Sequence, residues 1–199
     1  MNPLKLFLRG LYRIRKEIFI REFQDCDVSV GFVLEGPGQC KVAGKECICI
    51  GKDSNFGEGC ELIAYASDSK ENKQTLLNIG NHVRVTARCR ITCAGHITIE
   101  DDVLMAPDVF ITDHNHGMDP NYPGGYSNQP LIVRDVKIGE GVWLGQRVCV
   151  LPGVTIGEHS IIGANSVVTH DVPAYSIAVG APAKVIKRWN TERSTWEKV

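Results

Sequence analysis

From Ile138 onward an aliphatic residue returns at every sixth position: Ile138, Leu144, Val150, Ile156, Ile162 and Val168. The next position is glycine in four of the six, at Gly139, Gly145, Gly157 and Gly163. Three residues further on, Val142, Val148, Val154, Ser160, Ser166 and Val172 are all small or β-branched. A helix repeats its apolar face about every 3.6 residues and a strand every second residue, so neither produces this period. A solenoid does. Each hexapeptide is one short strand and one corner, and three of them close a triangular coil of about 18 residues. The aliphatic side chain points inward and stacks on its equivalents. Glycine serves where space is short or φ is positive. Backbone groups find partners only in the coils above and below, so no coil is stable alone.

The same phase is present earlier, with interruptions. Ile50, Phe56 and Leu62 form one set, Ile79, Val85 and Ile91 a second, and Ile99, Met105 and Ile111 a third, displaced by two extra residues. The period is lost between Leu62 and Ile79, and again over residues 113–134, where Pro120, Pro123, Gly124, Gly125 and Pro130 mark a long excursion. Long loops on rigid scaffolds tend to carry function. The expected fold is all-β, with one solenoid domain over residues 25–186. Residues 1–24 are expected to form an amphipathic helix and residues 187–199 a short helical tail.

The stretch from Ile138 to Arg188 resembles the hexapeptide-repeat transferase family, and the closing "ERSTWEKV" resembles its O-antigen (lipopolysaccharide) O-acetyltransferase branch. The resemblance covers about residues 45–199, including features shared with the maltose and galactoside acetyltransferases. It implies a left-handed parallel β-helix, a homotrimer with sites between neighbouring subunits, and acetyl-CoA as co-substrate. The reaction it implies is O-acetylation of a sugar or cell-surface polysaccharide precursor.

Acetyl transfer needs a base for the acceptor hydroxyl, and an imidazole titrates near working pH. Of six histidines, His114 and His116 stand at the mouth of the excursion, in Asp113-His114-Asn115-His116-Gly117. An extended chain would turn both to one side. His116-Gly117-Met118-Asp119 matches the family's His-x-x-Asp spacing, whereas the spacing from Thr112 selects His114; the first tips the choice to His116. Asp113 and Asp119 are candidates to orient an imidazole and to touch the acceptor, together with Tyr122 and Tyr126. The resemblance assigns Trp143, Gly145, Gln146, Ala164, Thr169, His170, Lys187 and Arg188 to the acyl donor. Two of these depart from the family pattern: His170 stands where lysine is common, and Gln146 where serine or alanine is common.

Zinc chemistry is not expected, because His114-x-His116 is too close for the paired ligands of related carbonic anhydrases and a third ligand is missing. The eight cysteines include no CxxC pair, and several alternate with aliphatic residues as in Cys47-Ile48-Cys49-Ile50, which reads as a reduced core. With 22 basic against 23 acidic residues there is no reason to expect a nucleic-acid partner. Without a signal peptide or an apolar run of membrane-spanning length, the expected location is the cytoplasm. Residues 4–23 alternate apolar positions with Lys5, Arg9, Arg13, Arg15, Lys16 and Arg21. Such a helix caps the solenoid end or lies on the inner face of the membrane, near a lipid-linked glycan acceptor. Competing expectations are a xenobiotic or other small-molecule acetyltransferase, since "NHGMDPNYP" resembles those enzymes too, and a scaffold without catalysis.

Overall fold

A computed structural model describes residues 26–28, 33–34, 40–65 and 76–199. The expected N-terminal helix lies outside the described residues. Among the described residues, three walls of mainly parallel strands enclose one core. The first wall has six strands, including Ile48–Ile50, Leu77–Ile79, Ile97–Ile99, Val136–Ile138 and Thr155–Ile156. The second has nine and runs through Asn55–Phe56, Arg84–Val85, Leu104–Met105, Trp143–Leu144, Ile161–Ile162 and Ser176–Gly180. The third has six, among them Lys41–Ala43, Glu61–Ala64, Arg90–Cys93, Phe110–Thr112, Cys149–Val150 and Val167–Val168.

The hexad positions are the stacking positions. Ile50, Ile79, Ile99, Ile138 and Ile156 pair in register along the first wall. Phe56, Val85, Met105, Leu144, Ile162 and Ala178 do so along the second. Leu62, Ile91, Ile111, Val150 and Val168 do so along the third. All of these side chains are buried. The cysteines behave largely as small core residues: six of the eight are buried, Cys60 and Cys89 fully so. Their Sγ atoms donate to Thr86 O at 3.0 Å and Ala106 O at 3.2 Å in the adjoining coil.

The recurring glycines answer a shortage of space. A Cβ on Gly139, Gly145 or Gly157 would sit 2.7, 2.7 or 2.2 Å from the backbone nitrogen of Glu158, Ala164 or Ala174 in the next coil. Backbone cannot yield there without separating the coils. Gly157→Ala is therefore expected to lower stability by about 1–3 kcal/mol, read as a lower midpoint in chemical unfolding. An unchanged midpoint would show that the coils have slack.

The three interruptions of the period share one corner, between the third wall and the first. They join Ala64 to Leu77, Cys93 to Ile97 and Thr112 to Val136. The longest carries its own antiparallel hairpin, His114–His116 against Leu131–Val133.

The C-terminus departs from the expected helical tail. Ser176–Gly180, Ala183–Asn190 and Thr195–Lys198 form an antiparallel ribbon that continues the second wall. Val185, Lys187 and Trp189 are half-buried while Lys184, Ile186 and Arg188 are exposed, the two-residue period of a strand. Trp189 and Trp196 pair across the turn with ring centroids 5.3 Å apart. A cross-strand aromatic pair of this kind stabilises a ribbon in place of the expected helix. Among the described residues no helix is long and apolar enough to cross a membrane.

Candidate active site

The hairpin is fastened to the corner by Asp113. This carboxylate is fully buried and accepts the backbone N–H groups of Ala94 (2.8 Å) and Gly95 (2.7 Å) from the preceding coil. The Cys93 thiol donates to it at 3.3 Å. Its Oδ1 also lies 2.8 Å from His114 Nδ1. The two-residue insertion at Ala94-Gly95 thus makes an anion cradle. Glycine at 95 leaves room for the hairpin, since a Cβ there would lie 2.3 Å from Val133 Cγ1 and the valine would have to shift. Burial, with Asp113 beside it, pushes the Cys93 thiol well above its usual range, so it is a donor here and a poor nucleophile.

Asp113 was expected at the acceptor. Its burial takes it off any surface that an acceptor could touch, and its oxygens hold the hairpin instead. Asp113→Ala would strand the N–H groups of the half-buried Ala94 and Gly95, each at no more than about 1–3 kcal/mol, the cost of a fully buried unsatisfied donor. The expected result is a clear fall in the denaturant midpoint. If the midpoint stays at the wild-type value, the cradle has no such role.

His114 is mostly enclosed, with 14% of its side chain exposed. A carboxylate at Nδ1 selects the tautomer with hydrogen on that nitrogen, which leaves Nε2 as an acceptor. Tyr65 meets the ring edge-on, with centroids 5.3 Å apart. His116, two residues outward on the same strand, is exposed. The chain beyond it is fixed by Gln129, whose buried amide accepts from Asp119 N at 2.9 Å and donates to Asp119 O at 2.8 Å. Gly117 N–H donates to Pro130 O at 3.1 Å. His116 therefore stands in solvent between two anchors. The Asp119 carboxylate accepts from Asn121 N–H at 2.8 Å and closes a local turn. Tyr122 and Tyr126 are exposed on the tip, beyond the Gln129 clamp.

The other histidines have surface partners or half-buried positions. His82 meets Asp102 at 3.3 Å, His159 packs on Tyr175, His170 meets Thr169 at 2.8 Å, and His96 is half-buried. Among the described residues no group of three or more His, Cys, Asp or Glu side chains is arranged to hold a metal ion.

The residues expected at the acyl donor divide between places. Trp143 projects from the second wall, 47% exposed. Gly145 and Gln146 turn the following corner, and Ala164 turns the same corner one coil on, against Gly145. Thr169 and His170 instead follow the third wall, at the corner that carries the hairpin. Lys187 lies on one face of the terminal ribbon and Arg188 on the other. In a triangular coil the corner between the third and first walls is opposite the second wall. Trp143 and the root of the His116 hairpin thus lie on opposite sides of one chain.

Two residues of this corner, Tyr65 and Gly95, carry no signal in the sequence. Their partners lie far along the chain, and only the extra length at 94–95 marks the place. Gln129, whose amide the sequence offers to a sugar, is spent on the Asp119 backbone instead.

Residues 135–170 match the family model described as bacterial transferase hexapeptide (six repeats). A protein of Escherichia coli K12 named as a lipopolysaccharide biosynthesis O-acetyl transferase is 36% identical over 167 residues, 80% of this chain and 81% of that one. Other acetyltransferase relatives are matched over about half of their own length. A solved galactoside acetyltransferase in complex with coenzyme A is 27% identical, with a TM-score of 0.56 over 100% of this chain and 80% of that one. An N-acyltransferase from Bacillus cereus, in complex with dTDP and 3-hydroxybutyryl-CoA, shares the fold: TM-score 0.68, 17% identity, 90% of each chain.

Proposed function

We propose, from a chain that belongs to the hexapeptide-repeat transferase family, that it is an acetyl-CoA-dependent O-acetyltransferase acting on a saccharide hydroxyl, with His116 as general base. One observation carries the assignment: His116 is an exposed imidazole on a strand fixed at both ends, by the Asp113 cradle and by the Gln129 clamp. A base must reach its hydroxyl and must not wander. The motif His116-x-x-Asp119 supports the same choice through spacing, although Asp119 shapes the turn and does not touch the ring.

Acetyl-CoA supplies the activated thioester. Trp143, Gln146 and Ala164 are exposed on one edge and suit the acyl-donor arm, with Lys184 and Arg188 on the open face of the ribbon as partners for its phosphates. Lys187, on the opposite face, is the weaker candidate. His116 removes the proton as the acceptor oxygen bonds to the acetyl carbon, and returns it to the departing sulfur. No acyl-enzyme is needed; burial pushes the Cys149 thiol up, which argues against a cysteine nucleophile.

The working unit is a homotrimer in this reading, with the left-handed winding of the family. Outward columns support association. The first wall is polar at Asn78, Thr98, Lys137 and Thr155. The second turns apolar at Leu104, Trp143, Ile161 and Ile177, and the third at Phe110, Cys149 and Val167. Trp143 of one copy then faces His116 of another across the interface.

The testing experiment is transfer from labelled acetyl-CoA across a panel of sugars, lipid-linked glycans and small amines. Ester product on a saccharide supports the reading. Product only on amines or xenobiotics makes it the small-molecule acetyltransferase instead, and no product from any acceptor returns the chain to a binding scaffold.

The Asp113–His114 bond favours a second reading, in which His114 takes the proton through Nε2. Single alanine variants at the two positions separate the readings.

A further inference from the structure

Tyr65 stands on the same corner as the two histidines. It follows the strand Glu61–Ala64, and its N–H donates to Cys93 O at 2.8 Å, extending the ladder by one residue. Ala64 pairs with Cys93 and Thr92 with Thr112, so Tyr65, Ala94 and His114 succeed one another on consecutive coils. The middle residue is alanine and glycine follows it. Nothing large intervenes, and the tyrosine ring spans the middle coil to meet His114 at an interplanar angle of 88°. His114 is thus bracketed, with Asp113 at Nδ1 and Tyr65 against the ring.

Tyr65 is nevertheless 48% exposed. Nearly half of the residue stays open to water, in contact with His114, which lies two residues from His116 on the same strand. An aromatic ring half in water next to a candidate base forgoes burial that would stabilise the fold. That arrangement suits a ligand with an apolar face. The C–H faces of a pyranose fit an aromatic face, because the negative ring face attracts C–H dipoles and both surfaces leave water.

We propose that Tyr65 is a specificity-determining platform of the acceptor site: the apolar face of a pyranose ring stacks on it and brings one hydroxyl toward His116. This rests on the saccharide reading above. It moves acceptor recognition from the tip tyrosines, Tyr122 and Tyr126, to the corner itself.

The test uses the full chain as Tyr65→Ala and Tyr65→Phe, with melting curves to establish that both fold. Steady-state transfer is measured for the best sugar of the panel, and saturation-transfer NMR of the same sugars without acetyl-CoA supplies a binding readout free of catalysis. Tyr65→Ala is expected to raise the acceptor KM about tenfold or more and to leave the acetyl-CoA KM within about twofold. Tyr65→Phe keeps the ring and should stay within about twofold for both substrates. An unchanged acceptor KM in Tyr65→Ala, or an equal rise for both substrates, overturns the platform and leaves the transferase reading standing. Sugar binding that depends on Tyr65 in a protein that transfers nothing supports the platform and overturns the transferase reading. Wild-type protein that neither binds nor acetylates any sugar overturns both.

Discussion

His116→Ala is expected to lower acetyl transfer by about 10²–10⁴-fold, the usual contribution of a positioned general base. The folded state should barely change, because His116 is exposed and the hydrogen bonds around it belong to Asp113, Gln129 and the backbone. Denaturant midpoint and acetyl-CoA affinity should stay near wild type while the turnover number falls. His114→Ala should show a different pattern. Its ring fills the space between Asp113 and Tyr65, so its removal loosens the hairpin, costs stability and reduces transfer less steeply. The reverse result, a well-folded His114→Ala with transfer abolished beside an active His116→Ala, assigns the proton to His114.

The scaffold was legible because each inward position must be filled by an aliphatic side chain of similar size in every coil. A constraint repeated that often survives as a period. The interruptions were legible as lost phase, but their coincidence at one corner was not. Two extra residues at Ala94-Gly95 read as a defect in stacking, yet they are the donors that hold Asp113. An aspartate beside two histidines reads equally well as a substrate ligand or an anchor, and only burial decides between them. The His-x-x-Asp spacing pointed to an oriented imidazole, whereas Asp119 binds the backbone of Asn121. Tyr65 was hidden because it lies where the period fades, and its contact with His114 crosses two coils. At the C-terminus, basic residues obscured the strand period of Val185, Lys187 and Trp189, and the Trp189–Trp196 pair that fixes it joins residues across a turn.

The root of the His116 hairpin and Trp143 lie on opposite sides of one chain, at the corner between the third and first walls and on the second wall. If His116 and Trp143 serve one reaction, each functional site takes its base from one copy and its donor contact from another. The direct measurement is acetyl transfer by oligomers assembled from two inactive chains, His116→Ala and Trp143→Ala, unfolded together and refolded as a mixture. Each variant alone should be nearly inactive. In mixed oligomers some interfaces pair an intact His116 with an intact Trp143, and random assembly predicts recovery of about a quarter of the wild-type rate in a cyclic oligomer. Separately refolded variants, combined only afterwards, should stay inactive. Recovery in the first case and not the second is the predicted result; no recovery from co-assembled chains, with oligomers shown to be mixed, would contradict a site shared between copies.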